Sequence, residues 1–301
     1  MKHNNLYSGP CIVCSSNLLE PLTKFYRFKN KPKFRYVFIC KDCGHIQLNP
    51  MEIRNTIKDI NNDFFTEKYR PGLIEENNKK KLSKFVDRLE WKLDREGGNA
   101  LEVGPGSGFL LDYLLEKNFS YYFIESIEKF RKNLISKGGI NVTNDLFSFD
   151  SAIEEKFDLI VLRHVIEHLD RPELSLQILN KYLKPEGMLY MALPNGIRIN
   201  NISKGFRTSF LRDPHLSYFS TMNIMRIIRS VGLTIVDEET DGELYFLLKK
   251  GPLDFEWKNE YQSNKNTYHQ LLKESFNLDL KNILLNEIKR PARWMMKITK
   301  H

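Results

Sequence analysis

The chain has 301 residues, with 46 lysines and arginines against 38 aspartates and glutamates, a formal charge of +8 and an isoelectric point near 9.1. A hydrophobic content of 41% excludes a disordered chain, four cysteines are too few for a disulfide-built scaffold, and no apolar run reaches the length of a membrane-crossing helix. The charge excess is modest for this length and neither requires nor excludes a polyanionic partner.

The four cysteines fall in two knuckles, Cys11-x-x-Cys14 and Cys40-x-x-Cys43. Paired knuckles supply four thiolates for a tetrahedral, structural zinc ion, and the separation suits a ribbon with a hairpin between them. Two disulfides are the alternative. Met1 is followed by Lys2, His3, Asn4, Asn5 and Leu6 rather than by a secretory leader, so the expectation is a cytoplasmic zinc ribbon over residues 1–50. Inside the hairpin, Arg27, Lys29, Lys31, Lys33 and Arg35 alternate with Tyr26, Phe28, Phe34 and Tyr36. Strand periodicity puts the two sets on opposite faces. The basic face meets solvent, a nucleic acid, or the diphosphate of a nucleotide-linked substrate. Residues 51–78 read as a helical lid or linker, in which Tyr69 is positioned to reach over a cofactor.

From residue 79 the pattern changes. Ala100, Leu101, Glu102 and Val103 form an apolar strand that ends in an acidic residue and turns through Gly104, Pro105, Gly106, Ser107 and Gly108 into an apolar-periodic helix. Glycines let a backbone approach a ligand where a Cβ would block it, and a helix start offers free N–H groups. The spacing is G-x-G-x-G and not the G-x-G-x-x-G of dinucleotide sites. A second strand, Tyr121–Ile124, ends at Glu125, whose carboxylate can accept two hydroxyls.

These residues resemble the class I S-adenosylmethionine-dependent methyltransferases. The resemblance implies that Glu102, Gly104, Pro105, Gly106 and Gly108 border the methionine and ribose portions of the cofactor, and that Glu125 binds the ribose. It also places Asp145, at the end of a third strand from Ile140, beside the adenine, and puts Arg163 among the cofactor-binding residues. Phe157–Leu162 is a fourth strand, apolar enough to be buried on both faces. It is followed by His164, Val165, Ile166, Glu167 and His168, a helix from about Glu173 to Leu183, a turn at 184–187 and a strand from Met188 to Leu193. The phrase HVIEHL with LKPEG after it is typical of a large branch of small-molecule methyltransferases. A helix over 221–231 and a hairpin, Leu233–Val236 and Glu243–Leu248, turning at Thr240-Asp241-Gly242, complete the expected fold. That fold is α/β: a Rossmann-like open sheet of seven strands, mostly parallel with an antiparallel last hairpin, over residues 79–250.

The position of His164 faces the transferred methyl group in the family, which makes it the candidate general base. Glu167 and His168 read as a catalytic or orienting pair or, the favoured reading, as a helix cap and packing pair. Residues 194–211 lack periodicity and read as a substrate-side insertion, after which His215 and Tyr218 are candidate catalytic residues on the acceptor side. Residues 251–301 read as a helical extension. Its part from 280 is basic and amphipathic, able to dock on the chain or on an anionic membrane surface, and is broken by Pro291. A zinc ribbon ahead of this core resembles sugar C- and O-methyltransferases, which implies a small-molecule, nucleotide-linked or lipid-linked sugar acceptor. A methyltransferase of ribosomal or transfer RNA and a non-catalytic cofactor-binding module are the other readings.

Overall fold

Continuous burial along the central strands explains the layered architecture. The structure, a computed structural model, describes residues 9–27, 33–48, 82–83, 85–89, 97–146, 148, 154–197, 215–240 and 243–274. Expectations for residues 51–78, Tyr69, most of the insertion at 198–211, the turn at Asp241-Gly242, the side chains of the run at 26–35 and the segment from 280 lie outside them.

The main sheet contains β4 (Gly98–Val103), β5 (Phe119–Ile124), β6 (Ile140–Thr143), β7 (Phe157–Arg163), β8 (Leu183–Pro194), β10 (Leu233–Glu239) and β11 (Glu243–Lys250). Their order is β10-β11-β8-β7-β4-β5-β6, and only β11 pairs antiparallel with its neighbours. This is the expected seven-stranded, mostly parallel sheet with an antiparallel end. Along β7, Leu159 and Val161 pack with Leu111 and Leu114 of α1 (Leu111–Glu116), Leu134 of α2 (Glu128–Ser136) and Phe85. Ile160 and Leu162 pack on the other face with Leu176 and Leu179 of α3 (Pro172–Tyr182) and Ile224, Ile227 and Ile228 of α4 (Thr221–Ser230). A strand covered by helices on both faces must be apolar at every position, and six consecutive residues of β7 are buried.

Asp158 is the polar exception in that strand. Its carboxylate accepts from the Asn99 N–H and from Lys184 Nζ, both at 2.8 Å. Asp158→Ala leaves the Asn99 N–H and the ammonium without this acceptor. The expected loss is about 2–3 kcal/mol of unfolding free energy in a urea titration of the full chain.

Two boundaries differ from the sequence expectation. The helix after the glycine turn starts at Leu111, two residues late and only six residues long. Residues 184–187 lie within β8: Phe157 is opposite Leu183 but Leu159 is opposite Met188, so four residues bulge out of the ladder.

The N-terminal segment forms a second, antiparallel sheet of β1 (Leu19–Arg27), β2 (Lys33–Cys40) and β3 (Ile46–Leu48). Its fourth strand comes from far along the chain: β9 (Ser217–Tyr218) pairs with β3, Ile46 opposite Tyr218 and Gln47 opposite Ser217. Val37, Ile39, Ile46 and Leu48 share one core with Leu216, Tyr218, Tyr268 and Leu271, the last two on α5 (residues 261–274). Polar clamps fix this docking. Asn223 Nδ2 donates to the Cys43 carbonyl at 2.9 Å, and Asn264 Nδ2 donates to the Gly44 carbonyl at 3.0 Å. Among the described residues no helix is long and apolar enough to cross a membrane.

Candidate functional site

In an open parallel sheet, ligands lie beyond the carboxyl ends of the strands, where the strand order reverses. Here that point lies between β4 and β7, the two strands from which the chain runs outward in opposite directions.

The glycine turn leaves β4 at this edge. The Gly104 N–H donates to the Ile124 carbonyl at 2.8 Å, and a Cβ added at Gly104 would stand 2.8 Å from Val165 Cγ2. Gly106, with φ +58°, would place a Cβ in open space, with nothing of the protein within 4 Å. Its N–H donates to Glu125 Oε2 at 2.9 Å, while the Ile127 N–H donates to Oε1 at 2.8 Å. Glu125 is buried, and burial raises its pKa above the usual carboxylate value despite the backbone N–H groups of Ile127 and Gly106. Each of its oxygens keeps acceptor capacity beyond the single bond described. Glu102 is buried and accepts a hydrogen bond from the Tyr121 hydroxyl. Asp145 lies exposed beyond β6, and the Gly108 N–H closes the turn on the Pro105 carbonyl at 3.1 Å. Glu102, Glu125 and the glycine turn therefore share one edge of the sheet. A turn whose glycine faces empty space next to a carboxylate fits an adenosine-bearing ligand.

Across the reversal point, β7 ends at Arg163 and the chain turns sharply through His164, which has φ +53°. A histidine in the left-handed region costs of order 1–3 kcal/mol, a strain that collects at functional sites. Its Nε2 lies 2.6 Å from Glu243 Oε1, which Arg163 Nη2 also contacts at 3.0 Å; Arg88 Nη1 reaches Glu243 Oε2 at 3.7 Å. Burial raises the pKa of Glu243, but His164, Arg163 and Arg88 outweigh it and leave a net lowering. For His164, burial lowers the pKa while Glu167 and Glu243 raise it, and the net direction is up.

A 3₁₀ turn, Ile166–His168, follows. With three residues per turn, Glu167 comes to lie beside His164. Its side chain is 2% exposed, with His164 Nδ1 at 3.4 Å, His168 Nε2 at 3.7 Å and His215 Nε2 at 4.0 Å from Oε1. The Leu216 N–H donates to the Glu167 carbonyl at 2.8 Å, which fixes His215 against the turn. Burial acts to raise the Glu167 pKa; the facing His168, His164 and His215 overcome it and hold the carboxyl at about 2.

The sequence candidates are thus partly gathered. His164 and His215 meet around Glu167. Arg163 is engaged with Glu243 and stands over the Phe109 ring at 5.7 Å. Tyr218 is buried in the ribbon-side core, its ring centroid 6.4 Å from that of His215. Sequence reasoning missed Glu243 and Arg88, since neither sits in a motif, and favoured a cap and packing role over an orienting one for Glu167 and His168.

At the far end of the second sheet the four cysteines converge, with Cys11 Sγ 3.6 Å from Cys43 Sγ and Cys14 Sγ 3.5 Å from Cys40 Sγ. None is in a disulfide. Four thiolates around one ion at about 2.3 Å lie about 3.8 Å apart, so the cluster is compatible with a zinc ribbon. Hydrogen bonds among the thiols hold Cys14 at about 7 and push Cys11 upward.

A seven-stranded sheet with one reversed strand, a glycine turn and a buried acidic residue at the next strand end define an S-adenosylmethionine-dependent methyltransferase of the class I fold. The family model described as a methyltransferase domain matches residues 74–238, more than half of the chain, and the chain belongs to that family. No curated protein matches it significantly. Among solved structures the chain is similar to the PH0226 protein from Pyrococcus horikoshii OT3, at 16% identity and TM-score 0.45, covering 57% of this chain and 90% of that one. It is also similar to an S-adenosylmethionine-dependent methyltransferase from Clostridium acetobutylicum ATCC 824, at 14% identity and TM-score 0.43, over 57% and 98%. A third is the magnesium protoporphyrin IX methyltransferase from Synechocystis PCC 6803 with bound SAH, at 15% identity and TM-score 0.46, over 57% and 83%.

Proposed function

We propose that the chain methylates a hydroxyl of a small-molecule or sugar acceptor, nucleotide- or lipid-linked, with Glu102, Gly104, Gly106, Gly108 and Glu125 holding the donor and His164 serving the acceptor. The observation that carries the reading is the placement of the glycine turn and His164 on the ends of adjacent strands, β4 and β7. S-adenosylmethionine supplies a methyl group already activated on a sulfonium. The chain's task is placement, in-line and at near-attack distance, and removal of the acceptor proton.

Both ring nitrogens of His164 face carboxylates, Nε2 that of Glu243 and Nδ1 that of Glu167 at 3.4 Å; together they raise its pKa and stabilise the imidazolium that forms when Nδ1 takes that proton. The acceptor oxygen gains the methyl, the C–S bond electrons return to sulfur, and the proton passes to Nδ1. Burial of Glu243 between Arg163, Arg88 and His164 keeps the imidazole ring oriented throughout. The zinc ribbon supports the sugar reading by its resemblance, and we assign Cys11, Cys14, Cys40 and Cys43 to one structural zinc.

His164→Asn suits the left-handed backbone, because asparagine tolerates it, and removes the base. Turnover is expected to fall about 10²–10⁴-fold with SAH affinity nearly unchanged. Equal loss in both would make His164 a donor contact. The acceptor class is tested by incubating the protein and methyl-labelled donor with cell extract split into RNA, lipid-linked glycan and nucleotide-sugar fractions. Label in the sugar fractions supports the reading, and label in RNA overturns it.

A further inference from the structure

Glu167 presents an unusual electrostatic situation. Its carboxylate is buried, three imidazoles face it, and neither oxygen accepts a hydrogen bond from a described residue. If the histidines were there simply as cationic partners, charge-assisted N–H···O bonds of about 2.7–2.9 Å would form. The observed separations of 3.4, 3.7 and 4.0 Å are too long for that. Those of His168 and His215, 3.7 and 4.0 Å, match something else. Donors bonded to one first-row cation at about 2.1 Å lie about 3.0–4.2 Å apart, depending on the bond angle. Glu167, His168 and His215 bring one carboxylate oxygen and two ring nitrogens within 4.8 Å of one another.

We propose that Glu167, His168 and His215 form a second metal site, distinct from the cysteine cluster, that binds a divalent first-row cation through one carboxylate and two imidazoles. Such nitrogen and oxygen donors suit Mn²⁺, Fe²⁺, Co²⁺ or Zn²⁺, whereas the four thiolates of the ribbon select a softer partner. Three protein ligands leave coordination positions open, and the histidine side chains are 24% and 16% exposed while the carboxylate is sealed. The backbone builds the site from two directions. The 3₁₀ turn supplies Glu167 and His168, and the Leu216 N–H bond to the Glu167 carbonyl brings His215 to them.

The site opens beside His164, so a cation there meets the acceptor hydroxyl, lowers its pKa as a Lewis acid and eases transfer of its proton to His164 Nδ1. This role rests on the methyl-transfer reading; occupancy of the site does not. A sugar diol, able to chelate through two oxygens, is the acceptor class it fits best.

The test is a titration of the full chain with Mn²⁺, following the free ion by electron paramagnetic resonance in the absence of donor and acceptor. Mn²⁺ is a hard ion that the thiolates take poorly. The expected result is one site per chain, with affinity at least tenfold weaker in His168→Ala and in His215→Ala, and with SAH affinity retained in both, which separates a lost site from a lost fold. Should His215→Ala fail to fold, His168→Ala, on a different segment, decides alone. Absence of Mn²⁺ uptake, or uptake indifferent to these substitutions, overturns the inference. Metal binding without SAH binding would instead refute the methyl-transfer reading and leave the site standing.

Discussion

Replacing Gly106 by alanine is expected to weaken SAH binding at least about 100-fold, close to 3 kcal/mol, while the protein stays folded. The asymmetry follows from the geometry. A Cβ at this position meets no protein atom within 4 Å, so the substitution collides with nothing the chain itself provides. What remains is the cost of an L-residue at φ +58°, about 1–2 kcal/mol, or a few degrees in melting temperature. A donor molecule lying against the Gly106 N–H and Glu125 would meet the added methyl directly. Gly104 offers no such separation of effects, because its Cβ strikes Val165. Calorimetric titration with SAH decides the matter: unchanged affinity in Gly106→Ala would remove the glycine turn from the donor site.

The second large effect is expected at Cys40. Cys40→Ser should release the metal and disorder more than the ribbon. Zinc binding contributes about 10–16 kcal/mol in small zinc-finger peptides, comparable with the whole stability of a domain, and a sheet of this size has little core of its own. The knuckle loop at Cys43 and Gly44 accepts the clamps from Asn223 and Asn264, and the Val37–Leu48 core is completed by Tyr218, Tyr268 and Leu271. Hydrogen exchange should therefore show lost protection in 33–48, 215–223 and α5 together, with β4, β5 and β7 unchanged. Loss confined to 11–48 would mean that the ribbon is an independent appendage, and metal analysis finding no zinc in the parent protein would refute the assignment.

The parts legible in the amino-acid sequence are those where one physical demand dominates. β7 is buried on both faces and reads as an unbroken apolar run; the turn after β4 needs its glycines; the knuckles need cysteines at fixed spacing. Strand ends, and so the positions of Glu102 and Glu125, follow from these. The gathering around Glu167 was not legible. A 3₁₀ turn does not follow helical spacing, so Glu167 and His168 look like helix-surface residues, and His215 arrives from a segment without periodicity. β9 was hidden for a related reason. A two-residue strand carries no alternation, and its partner β3 lies at the opposite end of the chain. Glu243 begins the second strand of the last hairpin and resembles any solvent-facing charge until Arg88, Arg163 and His164 are placed around it.

The insertion of β9 into the N-terminal sheet restricts how this protein can be divided or recombined. A fragment starting near residue 79 would keep every strand of the main sheet yet carry Ser217 and Tyr218 with no edge to join, exposing Tyr218, Leu216 and Tyr268 to water. The same cut would free the ribbon's β3 edge as a template for intermolecular pairing. Chimeras that exchange ribbons between relatives would have to move residues 215–219 and α5 along with the cysteines, since inheritance of the fold is set by which backbone edges meet and not by contiguity along the chain.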